Sequence, residues 1–202
     1  MDDLTALARA PAWPLERTLA LPGRCKGSLL KQWGEHVRRR FGEDAADALR
    51  AELGVSIRDL PDAPDADKWF PVAWQLALTR RIADRHLGGD MLRLEPMLRE
   101  DARRQPTRLV ERLARIALTP RRIIGATDKI QAALFDLGKA EARVEKTRAT
   151  IRWTGAAYFG DPTWRIAQLF AVRAMFDALH AREPKCSGLE TSPDGFELFI
   201  EF

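Results

Sequence analysis

Three histidines, two cysteines and a cluster of aspartates are the residues of this 202-residue chain best suited to chemistry. His36, His86 and His180 stand far apart, each on a stretch that reads as helix. A metal would need them gathered with a further donor, so they read as separate surface or boundary histidines. Asp59, Asp62, Asp65 and Asp67 crowd one stretch. Asp62-Ala63-Pro64-Asp65-Ala66-Asp67 lacks the glycine and closing glutamate of an EF-hand loop, and reads as a solvated acidic loop. Cys25 adjoins Lys26, whose charge would favour a thiolate, but no histidine stands in sequence context to activate it. Asp84 with Asp90, or Glu95 with Glu100, could act as acid and base, as pairs on any helical protein could. Neither a nucleophile elbow, a phosphate loop, a His-Glu-x-x-His nor a Cys-x-x-Cys is present. The chain reads as non-enzymatic, with no catalytic residue, metal or cofactor assigned.

Aromatic residues are more informative. Of six tryptophans, Trp33, Trp153 and Trp164 fall at core-facing positions. Trp69, Phe70 and Trp74 crowd the start of an expected helix just after the acidic loop. On a helix, positions 69 and 73 face the core while 70 and 74 share another side. Two readings stay open: a helix packed on two sides, or a partner surface or pocket wall. These three are the candidate interface or pocket residues.

The net charge is +4 and the pI about 9.4. Only Arg38-Arg39-Arg40 forms a tight basic run, and Glu43 and Asp44 follow it at once. A phosphate-tracking stripe would be contiguous, so nucleic acid is not an expected partner. No apolar run approaches the roughly 20 residues of a membrane span; residues 76–87 are interrupted by Arg80, Arg81 and Asp84. Met1-Asp2-Asp3 is not the start of a secretory signal. A cytoplasmic protein without a membrane span is expected.

Hydrophobic period then sets out the elements. Residues 1–22, with Pro11, Pro14 and Pro22, read as an N-terminal arm: a short helix near Leu4, then an irregular stretch held by Trp13 and Leu15. Residues 23–202 read as one domain, long enough for a single core. Leu29, Leu30, Trp33, Val37 and Phe41 recur at three and four, marking a helix over 27–41. A second covers 43–53, stopped by Gly54, and 55–68 is loop. Helices follow over 69–87, from Asp90 as cap toward Pro106, and from Thr107. Thr119-Pro120 supplies a cap and an N1 proline, opening a helix over 120–137. The period changes after Lys146, where Ala149, Ile151 and Trp153 alternate as in a strand. Asp161-Pro162 opens a helix apolar almost all round, expected to lie centrally against the sheet. A turn at Ser192-Pro193-Asp194-Gly195 joins strands over 185–190 and 196–202. The fold class is α+β: a helical N-terminal two-thirds, then a strand, a long central helix and a C-terminal β-hairpin in a small antiparallel sheet.

That order resembles the heme-nitric-oxide-binding and 4-vinyl-reductase domain superfamily. Lys26-Gly27 opening one helix, and Phe41-Gly42-Glu43 introducing the next, are similar to the start of heme-nitric-oxide-binding domains. The terminal strand, helix and hairpin resemble the end of both branches. Lys68-Trp69-Phe70-Pro71-Val72 and Leu87-Gly88-Gly89-Asp90 resemble a bacterial paralogous group of uncharacterised proteins. The resemblance spans residues 24–202. Heme-binding members carry an axial histidine on the helix before the first strand and a Tyr-x-Ser-x-Arg motif in the strand region. Here residues 120–137 hold no histidine, and the strand reads Ile151-Arg152-Trp153-Thr154-Gly155, which implies a member that does not bind heme. By resemblance the chain is a regulatory or protein-interaction module that self-associates or docks another protein. The alternative is a sensor holding a small apolar ligand between helices and sheet. A well-formed apolar cavity favours the sensor; a filled core favours the interaction module.

Overall fold

In the computed structural model, residues 10–57, 59–61, 63–104 and 119–202 are described. The helices expected near Leu4 and after Thr107 lie outside the described residues. Helix α1, Leu15–Leu19, leads into a short strand β1, Arg24–Lys26. Helices α2, Gly27–Phe41, and α3, Glu43–Ser56, follow. Strand β2, Trp69–Pro71, pairs antiparallel with β1 and runs directly into α4, Val72–His86. A 3₁₀ turn then leads into α5, Leu94–Arg104. After α6, Pro120–Gly125, and α7, Thr127–Leu134, come β3, Lys139–Val144, and β4, Arg148–Thr154. Helix α8, Pro162–Ala178, precedes the closing hairpin of β5, Lys185–Ser192, and β6, Gly195–Glu201. The fold is α+β.

The C-terminal sheet is antiparallel in the order β3-β4-β6-β5. Register aligns Ala142, Ile151 and Leu198 across three strands, and Ala140, Trp153 and Phe196 in the next row. Period two then puts Ala149, Ile151, Trp153, Phe196, Leu198 and Ile200 on one face, where all are buried. The opposite face aligns Glu141, Arg152 and Glu197, with Arg152 Nε donating to Glu197 Oε1 at 2.6 Å. Phe202 continues the apolar row past the strand end and meets Phe176 of α8, ring centroids 5.6 Å apart.

Several elements depart from the sequence reading for identifiable reasons. The helix expected from Trp69 begins at Val72, so Trp69 and Phe70 are strand residues. Pro71 bars helical geometry at the residue before it, and β1 takes up the extended segment. The helix expected over 120–137 is two helices with Ala126 between them at φ −101°, ψ 13°. Gly125 weakens that point, and Thr127 Oγ1 donates to the Ile124 carbonyl at 2.6 Å. Phe135 then leaves helix to bridge Cys25, and Arg24 clamps Asp136 through both its backbone N–H and its Nε, each at 2.6 Å.

Strand β3, Lys139–Val144, is an element that the sequence reading does not include. Its alternation (Lys139, Glu141, Arg143 against Ala140, Ala142, Val144) is present in the sequence, but alanines disguise it. The preceding Gly138 has φ +78°, and a Cβ there would lie 2.4 Å from the Phe159 ring, so only glycine fits. Helix α3 runs through Gly54 to Ser56. Asp90 does cap, accepting from Leu92 N at 2.9 Å, but it opens the 3₁₀ turn. Asp161 caps α8, accepting from Thr163 N at 2.7 Å and Trp164 N at 3.3 Å. The arm is not wholly irregular: α1 buries Thr18, whose hydroxyl donates to Asp161 at 3.3 Å.

Candidate functional site

Helix α8 decides where the core stays open. Its first turn carries Trp164, and the same flank continues as Ala167, Gln168, Ala171, Ala174, Met175 and Ala178. The three-and-four spacing keeps these residues on one side of the helix. Ile166, Leu169, Phe170 and Phe176, elsewhere on α8, are buried. Alanines leave the first flank unfilled.

The resulting cavity lies between the helical layer and the sheet. Ile151 and Trp153 reach it from β4, and Ile123 and Ile124 from α6. Thr127, Ile130, Gln131 and Leu134 contribute from α7, with Phe135 just beyond it. Leu29, Gln32 and Trp33 of α2, Gln75 of α4 and Leu98 of α5 complete the wall. Its volume is about 300 Å³, at the lower end of the range for small-molecule sites.

The polar groups of this wall are neutral. Among the described residues no Asp, Glu, Lys, Arg or His lines it; its polar side chains are chiefly Thr127 and four glutamines. Gln131 is held in place, donating from Nε2 to the Tyr158 hydroxyl at 3.1 Å and to the Leu137 carbonyl at 3.3 Å. The Tyr158 hydroxyl itself donates to Leu137 O. Burial pushes the Tyr158 phenol above its ordinary pKa, so it stays protonated as a donor. Gln75 donates to Thr79 Oγ1 at 3.3 Å. Gln32 and Gln168 make no side-chain hydrogen bond among the described residues. Trp164 is 1% exposed, and its indole N–H has no hydrogen-bond partner among the described residues.

At the Trp164 end the packing is aromatic and closed. The Trp164 ring centroid lies 5.3 Å from that of Trp153, at 85°, and 4.6 Å from that of Phe159. Both geometries suit aromatic pairs, whose edges are positive and faces negative.

The residues singled out from sequence lie elsewhere. Trp69, Phe70 and Trp74 are half-buried at the β1–β2 pair and the start of α4, and none lines the cavity. Phe70 and Trp74 do meet, at 6.1 Å between centroids, although Phe70 is on a strand. Lys26 holds its ammonium 4.2 Å from the Trp69 ring centroid and donates to the Asp67 carbonyl at 2.7 Å, pinning the acidic loop. A Cβ on Gly27 would reach within 2.7 Å of the Phe70 ring. The sequence reading missed the alanines and glutamines that define the cavity. Their signal was a repeat of small residues on one flank of α8, masked by the large apolar residues around it.

The other candidate groups lie off the cavity wall. Cys25 is fully buried, which pushes its thiol up to about 12, the reverse of the activation its neighbour Lys26 would cause. His36 packs edge-on against Trp33 at 5.2 Å, and His86 stacks on Phe41 at 4.3 Å. His180 stands beyond the helix at φ 51°. Among the described residues no group of three or more His, Cys, Asp or Glu could hold a metal. In the basic run, Arg38 pairs with Glu43 and Arg40 with Glu100.

No family model and no curated protein matches the chain. Its fold is that of H-NOX domains. An Fe(II) unliganded H-NOX protein from K. algicida superposes with a TM-score of 0.58 at 11% identity, covering 87% of this chain and 95% of that one. A Cs H-NOX mutant gives 0.57 at 14% identity, covering 88% and 96%. A third structure, concerned with heme redox potential and porphyrin distortion, gives 0.52 at 13%, covering 88% and 99%. At such identities the likeness establishes the fold alone.

The fold raises the question of heme, and the cavity's donors do not fit it. Iron there would need His, Cys, Tyr or Met, and the only such side chain on the described wall is the Met175 thioether. Residues 105–118 contain no His, Cys, Tyr or Met. No described cation lines the cavity to meet propionates.

Proposed function

We propose that this chain is a non-enzymatic sensing module of the H-NOX fold that binds a small apolar ligand, not heme, between its helices and its sheet. One observation carries the proposal: a cavity of about 300 Å³ with a mainly apolar, uncharged described wall, in the layer between helices and sheet. The ligand would touch α2, α6, α7 and α8 together, so occupancy would be reported through how these helices pack. On this reading the likeness of Lys68–Val72 and Leu87–Asp90 to the bacterial paralogous group, and of the terminal strand, helix and hairpin to the 4-vinyl-reductase branch, supports a kinship with both.

Three tryptophans, Trp33, Trp153 and Trp164, line the cavity and supply the test. Titration with the neutral, rod-shaped probe diphenylhexatriene should give saturable one-to-one energy transfer from tryptophan. Ala171→Phe, which plugs the groove from an exposed position, should abolish it at an unchanged melting temperature. Equal binding by the variant would remove the cavity from the account.

A second role, docking of another protein or a second copy of this chain, is proposed for Trp69, Phe70 and Trp74. Each keeps part of its side chain in solvent, and Phe70 and Trp74 form one ring pair. Sedimentation of the wild type and Trp74→Ala should show weakened assembly in the variant; unchanged assembly would reject this role.

A further inference from the structure

We propose that the ligand of the cavity is a neutral, linear amphiphile: an acyl amide, ester or alcohol with an unbranched tail. The proposal rests on the cavity reading above and specifies its ligand. Shape is the first argument. The lining flank of α8 extends from Trp164 to Ala178, fourteen steps of about 1.5 Å, so the groove is about 21 Å long. The facing wall runs from Ile123 to Phe135. The Phe135 and Trp164 ends come together at Tyr158, whose ring centroid lies 5.7 Å and 6.0 Å from theirs. A volume of about 300 Å³ drawn out over that length is a narrow groove and not a rounded chamber. Such a space suits one extended polymethylene chain better than a compact ring system.

Charge is the second argument. A carboxylate or phosphate on the ligand would find no described cation on the wall and would be buried unpaired, which is strongly unfavourable. Neutral polar groups are provided for instead. The amides of Gln32 and Gln168 are unengaged among the described residues, and each can both donate and accept. Trp164 lines the same wall, and its buried indole N–H lacks an acceptor among the described residues. A carbonyl or hydroxyl oxygen matches these groups, and the alanine flank matches the tail.

Three probes separate the arguments in the full chain. Decanamide and decanoate share tail length and head-group shape but differ in charge. Adamantane-1-carboxamide shares the neutral head but is compact. Tryptophan fluorescence and melting temperature should show decanamide binding saturably with stabilisation, and the other two at least tenfold more weakly. Gln168→Lys adds a cation to the wall and should shift the preference at least tenfold toward decanoate. Decanoate binding the wild type as tightly as decanamide would overturn neutrality, and an equal response to the adamantane amide would overturn linearity. An unshifted preference in Gln168→Lys would remove the wall charge as its cause. In either of the first two cases the cavity would stand as a site. Binding of none of the three would overturn the cavity reading itself.

Discussion

The two ends of α8 face the same core and treat it differently. Its first turn inserts Trp164 among Trp153, Phe159 and Phe196, with centroids 4.6 to 6.3 Å away. Further along, the same flank offers Ala167, Ala171, Ala174 and Ala178 to the cavity. One continuous helix carries both ends, so side-chain volume is what changes along it. Protein interiors are normally packed to crystal-like density, and a series of alanines is how this chain leaves room. The closed end anchors the helix to the sheet, which lets the open end stay open.

Trp164→Ala should cost about 3–5 kcal/mol, as buried aromatic truncations do. A denaturant midpoint little changed from wild type would mean that the aromatic end anchors nothing. Trp74→Ala, at a half-buried ring outside both regions, should cost about 2 kcal/mol by scaling from full burial. Weakened assembly in the same variant would add the proposed docking role to that packing; unchanged sedimentation would leave packing alone.

The next effect is set by pH. Arg165, buried beside the closed end, donates to Glu190 at 2.8 Å and holds its carboxyl below the usual carboxylate range. A depressed folded-state pKa contributes stability above the unfolded value and loses it as pH falls through the folded one. Glu190→Gln should therefore cost at most about 1 kcal/mol at neutral pH, because Glu190 is 61% exposed. The difference from wild type should vanish in acid. A gap that widened in acid would reverse the assignment. Smallest of all, Ala171→Phe should change stability by no more than about 0.5 kcal/mol without ligand, the counterpart of Trp164→Ala on the same helix.

Much of the fold was legible because it was written in large residues. The row Phe196, Leu198, Ile200 and Phe202, the cap and proline at Asp161-Pro162, and the stripe of α2 each stand out against polar neighbours. What escaped was written in small ones. Strand β3 alternates alanine with charge, and since alanine is a helix former by propensity, Ala140 and Ala142 signal a strand only beside their partners Trp153 and Ile151. Pro71 was visible, but the extended segment before it has meaning only once β1 lies beside it. The cavity was the least legible feature. The sequence suggested a place for it, between helices and sheet, but an alanine flank becomes a wall only when α6 and α7 stand opposite. The break at Ala126 and the bridge from Phe135 to Cys25 set those helices in place.

On the proposed function, this H-NOX fold holds an apolar ligand where the resemblance would put heme. Reconstitution of the purified full chain with hemin tests it most directly, read by absorbance and by quenching of Trp33, Trp153 and Trp164. The account predicts no stoichiometric Soret band and no saturable quenching at one equivalent. A saturable one-to-one hemin complex would contradict it.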